Sequence, residues 1–337
     1  MTTDPSGIAA VCLLKHTFVE SLAESEPKLE LESEYLVDVS PRHRIWDVKK
    51  AASDVVAGIY AQAADPNVKK HSYKVLDCSQ TLVLFVVSAG LEKADYKATS
   101  WKCRERHCPI CQSARVKKLH NQFVTVLPVI LDQVPNGIFL FLTLTVQNCL
   151  ITELRATLAE MGKAWKRLLR KPEFQIVKGW IRGTEVTCSA DGKAHPHFHC
   201  LLLVPPSYFA GHSYIKHEKW VMLWQDVAHL NYQPIVDIRR VKVVQDGIVE
   251  AVKAATYSIK PAELETDPAW FHEFHQQVSG LRFLATGGVI KKALGVKANE
   301  EADDITETDS EGEVVDRLIF AWQRSEKKYR HRQPVSG

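Results

Sequence analysis

Three histidines stand at every second position in the stretch AHPHFHCLLLV, which covers residues 194–204. Because successive side chains of a β-strand point to opposite faces, His195, His197 and His199 are predicted to share one face of a strand. Neutral imidazole is the commonest protein ligand of transition metals, and two imidazoles on one strand can hold an ion and leave coordination positions open. The alternative is a strand that carries solvated histidines and no metal.

A glutamate on the preceding strand could complete this site. The residues GWIRGTEVTCS, ADGK and HPHFHCLLLV have the pattern of a β-hairpin with its turn at residues 191–192. A loop of three or five residues places Glu185 on the histidine face, opposite His197 or His199, whereas an even-numbered loop places its neighbours there. Two imidazoles and one carboxylate with open positions suit magnesium or manganese bridged to a phosphate. The alternative is a solvent-facing strand glutamate.

Four of the eight cysteines form a second constellation, which comprises Cys78, Cys103, Cys108 and Cys111. Thiolates in a C-x2-C turn suit tetrahedral zinc, and a shell filled by four protein ligands is the structural kind of zinc site. The turn is crowded by Arg104, Arg106 and Arg115, which favours a metal knuckle over free cysteines in a loop. We therefore expect structural zinc, with Cys78 as the fourth ligand.

A third constellation surrounds Tyr257 in the stretch KAATYSIKP. On a helix, Lys253 and Lys260 lie on the same side as the phenol, and Glu250 lies one turn further back. Two cations near a phenol favour the phenolate, whose unperturbed pKa of about 10 is otherwise too high for attack at neutral pH. The alternative is a tyrosine that packs in the core of an amphipathic helix.

The bulk composition describes a globular chain. Its 337 residues are 45% hydrophobic and 25% charged, which suffices for one large domain or two ordinary ones. The sequence has no apolar run of about 18 to 20 residues and no cationic segment before its short apolar N-terminal piece, so we expect a cytoplasmic protein without a membrane span. A net charge of +3 is too small to indicate nucleic-acid binding by itself.

Helical and strand periodicities alternate along the chain. Helices are predicted over RIWDVKKAASDVVAGIYAQAA, whose apolar stripe includes Ile45 and Val48, over residues 112–132 and over residues 151–170. Strands are predicted at TLVLFVVS, at IFLFLTLTV and in the histidine hairpin, and PIVDIRRVKVV is a further strand. Thr143 and Thr145 share one face of the apolar second strand, either as support for the histidines or simply as β-formers. This order predicts an α+β fold with helices packed on one largely antiparallel sheet.

Three motifs in this order resemble those of a known family. FLTLT at residues 141–145, HPHFHCLLLV and YSIK at residues 257–260 are similar to the motifs of rolling-circle replication initiators, the Rep proteins of small bacterial plasmids in the HUH endonuclease superfamily. Cys78 and the stretch CRERHCPIC look like the cysteine-rich segment of the same proteins. The resemblance covers residues 75–295. It implies an HUH endonuclease-like sheet preceded by the zinc knuckle, and the helical periodicity of the N-terminal part predicts a helical region before both.

Periodicity, charge runs and the resemblance together divide the chain into four regions. These are an N-terminal helical region (1–74), a cysteine-rich zinc-binding segment (75–120), an HUH nickase domain (121–297) and an acidic linker with a basic C-terminal tail (298–337).

Site residues follow from the same motifs. His197 and His199 match the metal-binding pair, whereas His195 occupies a variable position. Tyr257 matches the nucleophile that cleaves one DNA strand, becomes linked to its 5′-phosphate and frees a 3′-hydroxyl primer. Many relatives carry a glutamate four residues before this tyrosine, which activates the water that ends the cycle. Here that position is Lys253, and Glu250 is the nearby carboxylate.

The implied partner is plasmid origin DNA, single-stranded or in a hairpin at the nick. The chain lacks the G-x-x-x-x-G-K-[ST] motif, so a host helicase is expected, together with DNA polymerase and a single-stranded DNA-binding protein. Two rival functions remain open. One is a histidine-triad nucleotide hydrolase, which needs neither metal nor Tyr257. The other is a non-catalytic zinc-containing origin-binding protein or repressor that binds phosphates through the basic knuckle and the tail around Lys327 and Arg330.

Overall fold

The computed structural model describes residues 34–88, 94–210, 212–242, 267–297 and 314–332. These residues form helices and two antiparallel sheets, which confirms the α+β class. In the part of the chain so described, no helix is long and apolar enough to cross a membrane. The four-region division of the chain stays a prediction.

The helices and strands follow one another in a mixed order. The helices are α1 (Leu36–Val39), α2 (Arg44–Ala61), α3 (Pro66–Lys69), α4 (His71–Asp77), α5 (Pro109–Gln133), α6 (Leu154–Leu168), α7 (His217–Ala228), α8 (Pro268–Val278) and α9 (Gly288–Lys297). The strands are β1 (Thr81–Ser88), β2 (Ala94–Ser100), β3 (Ile138–Thr145), β4 (Gly179–Cys188), β5 (Ala194–Val204), β6 (Val236–Arg240), β7 (Leu284–Gly287), β8 (Val314–Gln323) and β9 (Lys328–His331).

The N-terminal helical region is organised around a buried lysine. Lys50 of α2 is fully buried, and its ammonium group pairs with Asp54 at 3.1 Å and donates a hydrogen bond to the Leu76 carbonyl of α4 at 2.6 Å. The apolar stripe predicted for this helix includes Ile45 and Val48, but these residues are 49% and 55% exposed. The first half of the helix therefore turns Trp46, Asp47 and Lys50 inward, and both charges have partners, since the Asp47 carboxylate accepts a hydrogen bond from the Tyr329 N–H at 2.9 Å. Ile59 and Tyr60, in the second half of the predicted stripe, are buried.

A four-stranded sheet in the order β2-β1-β8-β9 lies next to these helices. Its last two strands belong to the segment expected to be a basic C-terminal tail, so part of that segment is folded. Residues Leu318, Phe320 and Trp322 alternate on one face and are buried, and the Trp322 indole donates to Asp54 of α2 at 2.8 Å. Burial of these three apolar side chains stabilises the pairing of β8 with β1.

The second sheet has five strands in the order β6-β3-β5-β4-β7, all antiparallel. Strand β3, which contains FLTLT, is flanked on both sides, as its apolar sequence predicts. The histidine strand β5 is central. Helices α6, α7 and α8 belong to the apolar cluster on the face of Leu142 and Phe198, whereas α5 and α9 pack on the opposite face with Phe141 and Leu201.

The helices on the second face cover only part of the sheet. Their apolar cluster includes Phe141 of β3 and Leu201 of β5, which are paired residues. The next residues on that face are Thr143 and His199, which are also paired. One end of this face is therefore polar, and it carries the histidines.

Candidate metal-binding sites

The turn of the β4–β5 hairpin determines which side chains meet the histidines. Its loop comprises the five residues 189–193 between the paired residues Cys188 and Ala194. The Asp191 carboxylate accepts hydrogen bonds from the Ser189 hydroxyl at 2.5 Å and the Lys193 N–H at 3.3 Å. Gly192 has a φ of 76°, a left-handed conformation that glycine adopts without steric cost. The odd-numbered loop expected for a glutamate on the histidine face is therefore present.

Glu185 lies directly opposite His197 in the ladder. Its Oε2 atom is 2.8 Å from Nε2 of His197 and 2.7 Å from Nε2 of His199. One ligand atom from each residue lies within 4.8 Å of the others, and all three side chains are half-buried. Two imidazoles and one carboxylate thus converge on one point, as the sequence pattern requires for a shared metal ion.

The tautomer of His197 indicates what this convergence needs. The Nδ1 atom of His197 lies 3.3 Å from the His195 carbonyl oxygen, which can only accept a hydrogen bond. Nδ1 donates to this oxygen, so Nε2 faces the Glu185 carboxylate, as a hydrogen-bond donor when the ring is doubly protonated and as a lone-pair ligand when a cation lies between them. A lone pair and a carboxylate oxygen at 2.8 Å repel each other unless a proton or a cation lies between them. The donor set fits a divalent cation.

The carboxylate of Glu185 is held ionised. Burial alone would raise the pKa of Glu185, but hydrogen bonds and charge from His197 and His199 outweigh burial and lower this pKa to about 2. His195 shares the face but belongs to neither of the candidate ligand groups found among the described residues, and burial lowers its pKa. Glu185 is therefore an anionic ligand throughout the physiological pH range.

Two threonines of β3, the strand paired with β5 on the side away from β4, lie beside the histidines. The Thr143 hydroxyl lies 3.4 Å from Nδ1 of His199, and the Thr145 hydroxyl donates to the Ile235 carbonyl at 2.8 Å. Hydrogen bonds to the second ring nitrogen of a ligating histidine fix its tautomer and orientation. The supporting role considered for the first of these threonines thus has a contact in the structure.

The four clustered cysteines meet in three dimensions. Sγ of Cys111 lies 3.7 Å from that of Cys78 and 3.6 Å from that of Cys103, and one sulfur atom from each of the four residues joins the group. Sulfurs bound to one tetrahedral zinc ion at about 2.3 Å lie about 3.8 Å apart. A disulfide would place two sulfurs at about 2.05 Å, so the spacing is that of a metal site.

The backbone around the cysteines stabilises negative charge on their sulfur atoms. The N–H groups of Cys103 and Arg104 donate to the sulfurs of Cys78 and Cys111 at 3.4 and 3.2 Å. Cys108 is the N-cap of α5, where the positive end of the helix dipole favours negative charge. Hydrogen bonds from Cys103 and then from the other two thiols lower the pKa of Cys108.

The cysteine knuckle also contacts the sheet of the histidine site. The Arg106 guanidinium donates to the Leu281 carbonyl and lies 4.8 Å from the centre of the Phe283 ring. The Phe283 carbonyl in turn accepts a hydrogen bond at 2.8 Å from the N–H of Thr184, the residue before Glu185. Sequence reasoning identified the basic residues of the knuckle but not this contact, because it joins residues 175 positions apart.

Helix α8 ties both candidate sites together. The His107 ring, inside the knuckle, packs against Phe271 and Phe274 of α8 at 5.3 and 5.4 Å between ring centres. Next to Phe271 in the same helix, the Trp270 indole donates to the Gly192 carbonyl at the tip of the histidine hairpin at 2.9 Å. Burial holds the pKa of His107 well below its usual range, so this ring is a neutral packing element.

The tyrosine constellation falls outside the described residues. Glu250, Lys253, Tyr257 and Lys260 all lie in the segment 243–266, between β6 and α8. Their assignment stays a prediction.

Comparisons with known proteins agree with the motifs. The profile of a family described as Replication protein matches residues 95–330. A Protein rep from Streptococcus pneumoniae serotype 2 is 29% identical over 315 residues, which are 90% of this chain and 97% of the relative. A Protein rep from Lentilactobacillus hilgardii is 30% identical over 278 residues, which are 77% of this chain and 87% of the relative.

A third relative, a Protein rep from Staphylococcus aureus, is 32% identical over 193 residues, which are 56% of this chain and 82% of the relative. No solved structure gives a significant match. The family profile covers most of the chain, and the relatives match over nearly their whole length. This chain therefore belongs to the Rep family of plasmid replication initiator proteins.

Proposed function

We propose that this Rep protein starts rolling-circle replication by nicking one strand of its plasmid origin. The observation that carries the proposal is the convergence of Glu185, His197 and His199 within 4.8 Å on a polar end of the sheet. These three residues would hold magnesium or manganese. When bound, the ion draws charge from the non-bridging oxygens of the scissile phosphate and polarises the leaving 3′-oxygen.

The nucleophile in this proposal is Tyr257. Its phenolic oxygen attacks the phosphorus, the bond from phosphorus to the 3′-oxygen breaks, and the released 3′-oxygen takes up a proton. The product is a 5′-phosphotyrosine, which retains the bond energy for rejoining. Lys253 and Lys260 would stabilise the phenolate and contact the phosphates of the cut strand, and Glu250 is the nearby carboxylate for the terminating water.

Two contacts of the neighbouring elements support this assignment. The segment 243–266 follows β6, which pairs with β3 beside the histidine strand. It precedes α8, whose Trp270 contacts the tip of the histidine hairpin. The described elements on either side of the segment thus both contact the structure that carries the histidines.

The rival functions explain less of the molecule. In a histidine-triad hydrolase a histidine nitrogen is the nucleophile, but here the Nε2 atoms of His197 and His199 are both directed at one carboxylate. A non-catalytic origin-binding protein would give the Glu185 cluster no role. The cluster therefore favours the nickase.

The remaining partners follow from the mechanism. A free 3′-hydroxyl needs a DNA polymerase, and a chain without its own phosphate-binding loop needs a host helicase and a single-stranded DNA-binding protein. These proteins act in the cytoplasm, where plasmids replicate. The cysteine cluster would hold zinc in a structural role, because all four of its positions are filled by protein ligands.

One assay tests the proposed activity as a whole. The protein is incubated with supercoiled plasmid that carries its own gene and flanking DNA, with manganese or with a chelator. We expect an open-circular product with protein linked to one 5′ end, formed only with the metal. An open circle without linked protein would contradict the tyrosine mechanism.

The first prediction concerns the nucleophile. Tyr257→Phe removes one oxygen atom and almost no volume, so it should abolish the covalent protein–DNA adduct and leave origin binding unchanged. Tyr73→Phe is the control, since it removes the hydroxyl of a tyrosine that is exposed on α4. Peptide mapping of the wild-type adduct identifies the linked residue, and a 5′-phosphate on Tyr208, Tyr214, Tyr232 or His197 would refute the assignment.

The second prediction concerns the divalent ion. His197→Ala or His199→Ala should weaken manganese binding about 100-fold or more, because each removes a ligand. Loss of a residue that only hydrogen-bonds a ligand already weakens metal binding about 10- to 100-fold. His195→Ala is the control, since it shares the face but lies outside the ligand group. Manganese titration, nicking and origin binding are measured in parallel. Loss of origin binding together with nicking would instead indicate a folding role.

The third prediction concerns zinc. Elemental analysis should find about one zinc per chain, and Cys108→Ser should lose it together with several kcal/mol of the free energy of unfolding, since binding of structural zinc contributes about 10 kcal/mol or more. Cys149→Ser serves as control, because Cys149 is outside the cluster. Purified protein without zinc, or a stable and active Cys108→Ser variant, would disprove the assignment.

The fourth prediction tests whether the knuckle positions Glu185. Arg106→Ala removes the contacts to Leu281 and Phe283 and should weaken manganese binding about 10-fold while zinc content stays at the wild-type level. Arg115→Ala is the matched control, because Arg115 donates to knuckle carbonyls at 3.3 Å without contacting those residues. Equal manganese affinities of the two variants would show that the contact is only structural.

A further inference from the structure

Two exposed aromatic rings lie in the loop after the histidine strand. Phe209 and Tyr214 are 44% and 50% exposed, and their ring centres are 5.8 Å apart. Both rest on the buried ring of Tyr208, at 4.9 and 5.5 Å, and the Tyr208 hydroxyl donates to the Ile215 carbonyl at 3.3 Å. The pair is therefore supported from below by a fixed ring, while much of its own surface stays in solvent.

Positive charge accompanies the aromatic pair. The edge strand β6 ends in Arg239 and Arg240, which are both exposed. The Arg240 guanidinium lies 5.9 Å from the centre of the Phe209 ring, and none of the ion pairs found among the described residues involves it. Arg239 points to the opposite face, where it lies 5.0 Å from the Phe141 ring. Phe141 in turn lies 5.5 Å from His199.

The register of the sheet gives the separation between Arg240 and the histidine site. Arg240 pairs with Leu140 of β3, whereas His197 pairs with Thr145 of the same strand. Five residues at 3.4 Å each give roughly 17 Å along the strands, and β6 lies two strands from β5, which adds about 10 Å across the sheet. Because Arg239 and Arg240 point to opposite faces, a DNA strand that reaches both the histidines and the aromatic pair passes around the edge strand β6. Arg239 lies between the two ends, on the face of the histidines.

We propose that Phe209, Tyr214 and Arg240 form a subsite where unpaired bases of single-stranded DNA stack, at the edge strand β6 and away from the scissile phosphate. The subsite rests on the proposed nicking function and adds to it a second point of contact with the strand. Aromatic rings with nearby cations bind single strands, because every unpaired base presents a π-face and every linkage a phosphate.

The chemistry distinguishes a single strand from a duplex. In a duplex the base faces are stacked inside the helix, so exposed rings find only sugar and phosphate. Arginines contact the phosphates of either form, whereas the aromatic rings contribute to binding only when they stack on unpaired bases. The subsite therefore favours DNA that is already melted around the nick, which is the form in which the cut strand is displaced.

The test is a binding titration with the full-length chain. A labelled single-stranded oligonucleotide of the origin sequence and the matching duplex are titrated in a chelator, so that no nicking interferes. Phe209→Leu and Tyr214→Leu keep apolar bulk but lose the ring, and each should weaken binding of the single strand about tenfold and binding of the duplex less than about twofold. Tyr214→Phe, which keeps the ring, should bind as the wild type does.

Matched controls exclude a general effect on the surface or the fold. Tyr73→Leu removes a tyrosine ring that is 72% exposed on α4, in the N-terminal helical region, and should change neither affinity. Arg240→Gln should weaken both forms and lower the salt dependence of binding by about one phosphate contact. The thermal midpoint of each variant is measured, and a variant that melts below the assay temperature is replaced by Phe209→Met or Tyr214→Met.

The opposing outcomes are separate from those of the nicking assay. Equal weakening of single-strand and duplex binding, or unchanged single-strand binding in both ring variants, would overturn the subsite. So would a selective loss in Trp101→Leu alone, since Trp101 is the 58% exposed ring beside the knuckle. If the ring variants lose single-strand binding while the wild-type protein never nicks the plasmid, the subsite stands and the proposed nicking function is refuted.

Discussion

The pairing of β4 with β5 is the constraint on which the candidate site depends. A strand has a side-chain period of two, so a slip of one residue would move every side chain of β4 to the opposite face. Val186 would then stand among the histidines, and Glu185 would be driven into the apolar cluster around Phe198 without a partner. The five-residue loop and the burial of the alternate side chains therefore specify the same register. The site is a consequence of that register rather than an addition to the fold.

The alternation of side chains along β3 lets the five-stranded sheet pack against an apolar cluster on each face. Leu140, Leu142 and Leu144 of β3 face one apolar cluster, and Phe139 and Phe141 face the other, so most of the strand is apolar on both sides. The second face becomes polar where the helices end, because threonines follow the phenylalanines along β3. Half-buried imidazoles at this boundary keep access to solvent while a packed sheet holds their backbone. Such a boundary can keep ligands rigid and still admit a large substrate.

The sequence predicted the elements whose signals are local. The hairpin, the cysteine spacing and the apolar strand FLTLT each depend on residues close in the chain, and each is present. The pairing of β8 with β1 could not be predicted in the same way, because Thr81 and Ala321 are paired across 240 positions. The inward side predicted for the first half of α2 was wrong for a related reason, whereas Ile59 and Tyr60 of the same stripe are buried as predicted. Lys50 is buried only because Asp54 and the Leu76 carbonyl of another helix satisfy its charge, and hydropathy contains no information about that partner.

The described contacts also give a physical reason for placing a knuckle beside this sheet. A cysteine cluster that binds one metal ion fixes about ten residues of irregular backbone without a large apolar core. That backbone projects Arg106 and His107 toward the segment formed by α8 and β7, which contacts the hairpin at Gly192 near one end and at Thr184 near the other. The hairpin is thus held at two points by one rigid support. Two imidazoles that lie within hydrogen-bond distance of one carboxylate require such a support, since a shift of about 1 Å is enough to separate the three groups.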